Sequence, residues 1–548
     1  MHNRYPLISL LLLALLPGLA FAARDPLLPA PEEIRREVAR PNLDPLGHPL
    51  PLVAHFLPGW GGETSAFSPA WQMQMIDQGH FLLPWLAFPP GDAKLDAKFW
   101  CAYFEGPLAK AKALKLPITF ICPQWDLIFT YDNYRKLPLE QTPAVINLDG
   151  KAVPQVDAFG PPAVWREAGQ RYMSSPWMKR VQEIYPDPPA VYFVTMSGYS
   201  RFGWPEADKN KRYLDKYGKG HDDNFKRRVV ADAWLAEGQA MQEGMREAFA
   251  QPAWKKHSVF VTYGAFGPPH FARPTDWSDF RPDGDWKDYS AYIPGRIDPS
   301  PLGEGGTAQY YAYDFSTITD YTVMSPQVES MNWVFMKAEG YHLNPKFWLE
   351  MATWDGRYGP NDKIKNRYEK QGQAYPPERY AGTMQFGMWV LRPRVVRQWQ
   401  GWINGLPLAE GSTYFLPFVT AVDRVHTNPI LRAFWRTGDL VVNPAHQHPY
   451  QLNVPPEYAK VDRWFLLDTS LDPPRPWVMT TELPVFALAL AQGRAPHRQW
   501  LVYAHAPLSA RQAVQIILPG YGPITVDVAV GGSYYLVDER TKKVTTVE

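Results

Sequence analysis

The residues with the clearest chemical potential are acids that close short apolar runs. Tyr321–Val328 leads to Glu329, and Phe347–Thr353 leads through Trp354 to Asp355 and Gly356. Each is a β-prone run, and the second ends in a turn signal. As parallel strands of one barrel, both would open their carboxyl ends onto the face where such barrels place their chemistry. Two carboxyls sharing a cleft are what glycoside hydrolysis requires: one protonates the leaving oxygen, and the other is nucleophile or base for water. With Asp355 ionised, Glu329 as the acid needs partial desolvation to keep its proton near neutrality, and the two roles can be exchanged. A separation of about 5 Å would give retention, and about 6.5 to 9.5 Å inversion. For each acid the plain alternative is a solvated surface charge. Three further acids stand in reserve: Asp126 after the run Ile118–Cys122, Glu206 after Gly203-Trp204-Pro205, and Glu350 within the Phe347–Thr353 run.

Around these acids the sequence supplies groups suited to sugars. His55, Trp60, Trp125, Tyr199, Tyr263, Gln327 and Trp354 all fall at or just past the ends of candidate strands. His and Gln can bond hydroxyls, and aromatic rings give rigid floors for sugar C–H faces. The chain is 14% aromatic, with 22 Trp and 56 Pro. Many of the rings sit in loops such as Pro58-Gly59-Trp60-Gly61-Gly62 and Asp285-Trp286-Lys287, where they can stack on ligand or staple the loop. His446 and His448 are two apart on a Pro-flanked loop without a third ligand, so neither metal nor cofactor is expected. No GxSxG, HExxH or P-loop is present, which removes serine hydrolase, zincin and NTPase chemistry.

The elements that must position these groups alternate between strand and helix. Candidate strands are Leu52–Leu57, Phe81–Phe88, Ile118–Cys122, Ala190–Met196, Ser258–Tyr263, Tyr321–Val328, Phe347–Thr353 and Thr383–Leu391. Helical stretches are Ala70–Gln78, Phe99–Leu116, Ala163–Ile184, Phe225–Phe249 and, after the last strand, Val395–Ile403. This pattern predicts a closed parallel (β/α)8 TIM barrel. The connections 125–162, 197–224 and 264–320 are long enough to wall a cleft at the strands' carboxyl ends.

From about Val461 short strands follow one another, divided by turns such as Pro519-Gly520-Tyr521-Gly522 and Gly531-Gly532, which predicts an all-β sandwich. At the other end, Arg4, the apolar run Leu7–Leu16 and Ala20-Phe21-Ala22 have the form of a secretory leader. The expected division is therefore a signal peptide at 1–22, a Pro-rich lead-in at 23–50, the barrel at 51–455 and the sandwich at 456–548. Loss of the leader takes Arg4 from 56 basic residues against 55 acidic, leaving 55 of each. A neutral total argues against a nucleic acid or membrane surface held by bulk charge. No later run suits membrane insertion. Cys101 and Cys122 can pair in an oxidising compartment or remain buried thiols.

In architecture the mature chain resembles secreted glycoside hydrolases of the (β/α)8 superfamily with a C-terminal β-sandwich. Many retaining members carry Asn-Glu at the end of strand four and Glu at the end of strand seven. Here strand four runs into Met196-Ser197-Gly198-Tyr199-Ser200, and strand seven into Asp355. That departure turns the choice of partner to Glu329. The expectation is an exported, periplasmic or extracellular enzyme cleaving glycosidic bonds of a polysaccharide, endo-acting because its long loops suit an extended cleft. The alternative is a non-catalytic glycan-binding or scaffold protein of a bacterial envelope or exopolysaccharide system. The sugar, the linkage and the oligomeric state are not written in the sequence.

Overall fold

The computed structural model describes residues 52–55, 82–83, 85–87, 97–122, 136–195, 204–263, 305–308, 349–353, 377–393, 395–398, 415–443, 465–469, 485–507 and 509–548. A parallel sheet begins with β1 (Leu52–His55), β2 (Leu82–Leu83), β3 (Trp85–Ala87) and β4 (Ile118–Cys122). A small antiparallel hairpin of β5 (Ala144–Ile146) and β6 (Ala152–Val156) interrupts it. The sheet resumes with β7 (Val191–Thr195), β8 (Ser258–Tyr263), β9 (Gly305–Ala308), β10 (Leu349–Thr353) and β11 (Val395–Gln398). Its order is β2-β1-β11-β10-β9-β8-β7-β4-β3, and every pairing is parallel. The two ends of that order are pieces of one segment divided at Pro84, a residue with no N–H to give to a ladder.

Between the strands run α1 (Ala97–Ala113), α2 (Pro162–Met173), α3 (Pro176–Ile184), α4 (Lys211–Tyr217), α5 (Asp223–Glu247) and α6 (Pro252–His257). A ladder of rings fixes this layer to the sheet. Phe120, Phe193 and Phe260 are register partners on β4, β7 and β8, stacked with centroids 5.2 and 5.3 Å apart. Trp254 lies 5.6 Å from Phe120 and donates its Nε1–H to the Tyr185 carbonyl at 2.8 Å, so its one polar group is satisfied in the core. Phe249 stacks on Phe193, and the Arg246 guanidinium sits 4.7 Å from the Phe260 ring centre.

Helices α2 and α5 approach so closely that each carries a glycine at the crossing. A Cβ on Gly244 would fall 1.9 Å from the Arg166 carbonyl oxygen, and one on Gly169 2.2 Å from that of Met241. Both obstacles are backbone, so the helices would have to separate. Gly244→Ala should therefore destabilise the chain by about 2 to 3 kcal/mol despite alanine's better helix propensity. Thermal melting checks this, and an unchanged or raised midpoint would contradict the crossing geometry.

Two expected elements exchange types. Thr383–Leu391, expected as the eighth strand, belongs to helix α7 (Pro377–Leu391), and Val395–Ile403, expected as a helix, begins with strand β11, which pairs with β1 and β10. The reason is burial: every residue of α7 from Arg379 to Leu391 is buried, so the helix has no polar stripe. An apolar run without a stripe reads as a buried strand. A third difference concerns the place between β8 and β10, which Gly305–Ala308 occupies within a stretch expected to be loop. Its Gly-Gly-Thr-Ala sequence lacks the apolar signature of a strand. The expected sixth strand, Tyr321–Val328, lies outside the described residues.

After α8 (Phe415–Thr427) and α9 (Pro429–Thr437) come two antiparallel sheets. The larger joins β12 (Asp439–Leu440), β14 (Phe486–Gln492), β15 (Gln499–His505), β18 (Ser533–Asp538) and β19 (Lys543–Thr546). The smaller joins β13 (Asp468–Thr469), β16 (Arg511–Leu518) and β17 (Gly522–Val528). Val514, Ile516 and Leu518 of β16 meet Ala487, Val502 and Val537 of the larger sheet in one apolar core, while Gln515 and Ile517 face out. This is the alternation of a half-buried sheet. Strand β12 comes from before residue 455 and is hydrogen-bonded to β14, so sheet pairing crosses the expected boundary.

Helix α7 joins these sheets to the rest. A Cβ on Gly382 would lie 2.3 Å from the Val530 carbonyl oxygen, and the Tyr503 hydroxyl donates to the Gly382 carbonyl. Trp389 donates its Nε1–H to the Tyr534 hydroxyl at 2.6 Å, and that hydroxyl donates to Gln385 Oε1 at 2.8 Å. Gln385 Nε2 completes the set by donating to the Gly531 carbonyl at 2.9 Å. Burial, with the Arg379 charge second, pushes the imidazole of His505 down to about 3, so it sits in this interface neutral. Among the described residues no helix is long and apolar enough to cross a membrane.

Candidate functional site

Parallel pairing makes the connections after all these strands leave from one edge of the sheet. At that edge His55, Gln398 and Thr353 are register partners, the last residues of β1, β11 and β10. Three positions back along the strands run Tyr263, Thr307, Glu350, Val395 and Leu52, which are register partners in turn. Of the residues singled out in the sequence, His55 and Tyr263 thus end their strands, and Glu350 is the second residue of β10. Glu329, Asp355, Asp126, Trp60, Trp125, Tyr199, Gln327 and Trp354 lie outside the described residues, as do His446 and His448.

The connections leaving β4 and β7 are stitched to each other through Arg212 at the start of α4. Its Nη1 donates to Asp157 Oδ2 and to the Ala144 carbonyl, both at 2.9 Å. Its Nη2 donates to the carbonyls of Thr142 at 2.8 Å and Leu139 at 2.6 Å. The planar fork suits four acceptors converging from one hairpin. Asn210 caps α4 by accepting from the Arg212 and Tyr213 backbone N–H groups, and its Nδ2 donates to Asp157 Oδ1 at 2.6 Å. The Phe159 backbone N–H gives that oxygen a second bond at 3.0 Å.

Glu206, on the 3-10 helix Trp204–Lys209, is the one candidate acid whose side chain is described. It is half-buried and accepts from Gln155 Nε2 of β6 at 2.9 Å. A neutral amide donor leaves the remaining lone pairs of a carboxylate open to other donors. Its place is the rim shared by the two connections.

Sequence reasoning missed the buried acids behind that rim. Asp157 is fully buried; burial pushes its carboxyl up, against the pull of the Phe159 N–H, Arg212 and Asn210. Glu237 of α5 is 1% exposed; burial first, and the Asp157 charge second, push it up to about 10, with Arg212 opposing. At neutral pH it is a carboxylic acid, and its Oε2 has no hydrogen-bond partner among the described residues. Neither acid carried a signal: Asp157 follows an ordinary strand, and Glu237 sits in a charged helix where a solvated role is the default. Among the described residues no group of three or more His, Cys, Asp and Glu could hold a metal ion.

Arg212→Met should leave Asp157 buried without its cation and the Leu139, Thr142 and Ala144 carbonyls without their donor. A loss of about 3 kcal/mol is expected, typical of breaking a buried pair from one side. Thermal melting reads it, and a variant as stable as the wild type would reduce Arg212 to a surface residue.

Comparison with known proteins returns no match, either to protein-family models or to curated proteins.

Proposed function

We propose that the chain is an exported glycoside hydrolase whose strands β1 to β11, apart from the β5–β6 hairpin, close into a (β/α)8 barrel. Closure is supported by the pairing of β2 with β1 and of β3 with β4 on either side of Pro84. The chemistry is hydrolysis of glycosidic bonds in a polysaccharide by two carboxyls, Asp355 and Glu329, within a cleft long enough for endo-cleavage. The observation that carries it is the common carboxyl edge of the parallel strands, because Asp355 follows Thr353, the last residue of β10, by two positions.

Asp355 is the better supported of the pair. Glu329 rests on the sequence alone, since Gly305–Ala308 takes the place expected for the strand leading to it. Glu350 is the carboxylate that a strand of the sheet carries, in the register row of Tyr263 and Thr307. Glu206 stands on the rim beside Gln155. Incubating the mature chain with a broad set of polysaccharides, including bacterial exopolysaccharides and arabinans, and following new reducing ends tests this reading. Release of reducing ends is expected. Binding without release would establish the scaffold alternative, which the lack of a carboxylate in Met196-Ser197-Gly198-Tyr199-Ser200 favours.

A further inference from the structure

We propose that Tyr217, His221 and Phe225 form an aromatic platform that binds a sugar ring of the polysaccharide away from the reacting acids, with Asp208 beside it to hold hydroxyls. The platform deepens the glycoside hydrolase reading, and its substrate class rests on that reading.

A tight turn builds the platform. Helix α4 is capped by Gly218, and Gly218 and Gly220 have φ of 81° and 86°, a region that favours glycine. Their turn brings the chain back onto α4, where His221 Nε2 lies 2.7 Å from the Tyr217 carbonyl oxygen. A carbonyl only accepts, so Nε2 carries a proton, and in the neutral ring Nδ1 is left as an acceptor. The imidazole stacks on Phe225 of α5, with centroids 3.9 Å apart and planes within 16°. Tyr217 meets Phe225 edge-on at 5.7 Å, and Phe159, from the connection after β4, meets Tyr217 at 5.9 Å. The rings thus draw on both connections that Arg212 stitches together.

Burial separates these rings from the structural ones. Phe120, Phe193, Phe260 and Trp254 of the sheet's ladder are fully buried, and so is Tyr213, which packs against Tyr217 at 5.3 Å. Tyr217, His221 and Phe225 are half-buried and keep ring surface in water after all their mutual contacts. Rigid aromatic surface next to a few polar groups suits the C–H face and hydroxyl edge of a sugar. The polar groups are at hand. Lys226, beside Phe225 in the first turn of α5, donates to Asp208 Oδ2 at 2.5 Å, and Lys216 Nζ sits 5.1 Å from the Tyr217 ring centre. Asp208 Oδ1 and the Tyr213 hydroxyl are buried without a hydrogen-bond partner among the described residues. Asp208 is half-exposed as a side chain, so its carboxylate keeps lone pairs within reach of ligand hydroxyls.

The platform also stands on the side where the chemistry is proposed. Helix α5, of 25 residues, is about 37 Å long, whereas the six residues of β8 span about 20 Å. The end of α5 packs on β7 and β8 through Phe249 and Arg246, and a crossover between parallel strands runs back against them. Its first turn, with Phe225, therefore reaches past the strands' carboxyl ends. That is the place of an outer subsite in an extended cleft.

Affinity electrophoresis through native gels cast with each polysaccharide of the set tests the platform without requiring cleavage. The wild-type protein should be retarded by at least one of them. On that polysaccharide His221→Ala and Tyr217→Ala should each raise Kd by ~5-fold, the scale of a lost aromatic stack. Tyr217→Phe keeps the ring and should bind as the wild type does. His221 lies in the turn between helices, so its variant reads the platform even where Tyr217→Ala lowers the melting temperature. Unchanged affinity in a folded His221→Ala would overturn the platform, as would a wild type that no polysaccharide retards. Reducing-end release from the same polysaccharides separates the two claims. Ring-dependent retardation without release would remove the hydrolase reading and keep the platform, whereas release with affinity independent of the rings would remove the platform alone.

Discussion

Asp355→Asn should lower the rate of glycosidic bond cleavage by on the order of 10³-fold, the scale associated with removing a positioned acid or base. That corresponds to about 4 kcal/mol of transition-state stabilisation. The amide keeps the size of the carboxylate and much of its hydrogen bonding, but it can neither attack an anomeric carbon nor take a proton from water. The loss should therefore fall on kcat, with KM little changed, because an interaction used in the transition state alone has been removed. Steady-state kinetics on the best polysaccharide separate the two. A variant with normal kcat would move the site to Glu350, Glu206 or Asp126.

The second large effect concerns the C-terminal sheets. A chain ending at residue 484 should not fold stably, because α7 is buried at every residue from Arg379 to Leu391. Removing the sheets would expose Phe386 and Trp389 and strip Gln385 and Trp389 of their partners Gly531 and Tyr534. Each large side chain returned to water costs about 1.5 to 3 kcal/mol, and a few of them approach the whole stability of a domain. Gly382→Val tests the same contact with less damage. Its Cβ alone would sit 2.3 Å from the Val530 carbonyl oxygen. Solubility and the melting profile read both changes. A truncated chain that melts cooperatively at the wild-type temperature would make the sheets an independent module. The hydrogen bonds and close packing on α7 favour one folding unit.

The legible parts of this fold are those where one physical signal dominates. Ile118–Cys122 and Ser258–Tyr263 are strands with the expected bounds, since β-branched and aromatic runs ending in turn residues have one good solution. Helix α5 was legible from its periodicity within two residues at each end. Where burial is total the period vanishes, and α7 took on the look of a strand. Where a strand consists of Gly-Gly-Thr-Ala, its identity comes from its neighbours β8 and β10 rather than its own side chains. The same limit applies to the rim. Glu206 stood out because a Gly-Trp-Pro turn precedes it. Asp157 and Glu237 became notable through burial and a shared arginine, which are properties of contact between segments 80 residues apart in number.

The most direct test of the central claim compares the wild-type protein with Asp355→Asn, at equal folded concentration, for reducing-end release and for binding on one responsive polysaccharide. The account requires release by the wild type and near-complete loss in the variant, with binding retained. Equal release by both proteins would contradict the site, and binding without release by the wild type would contradict the hydrolase itself.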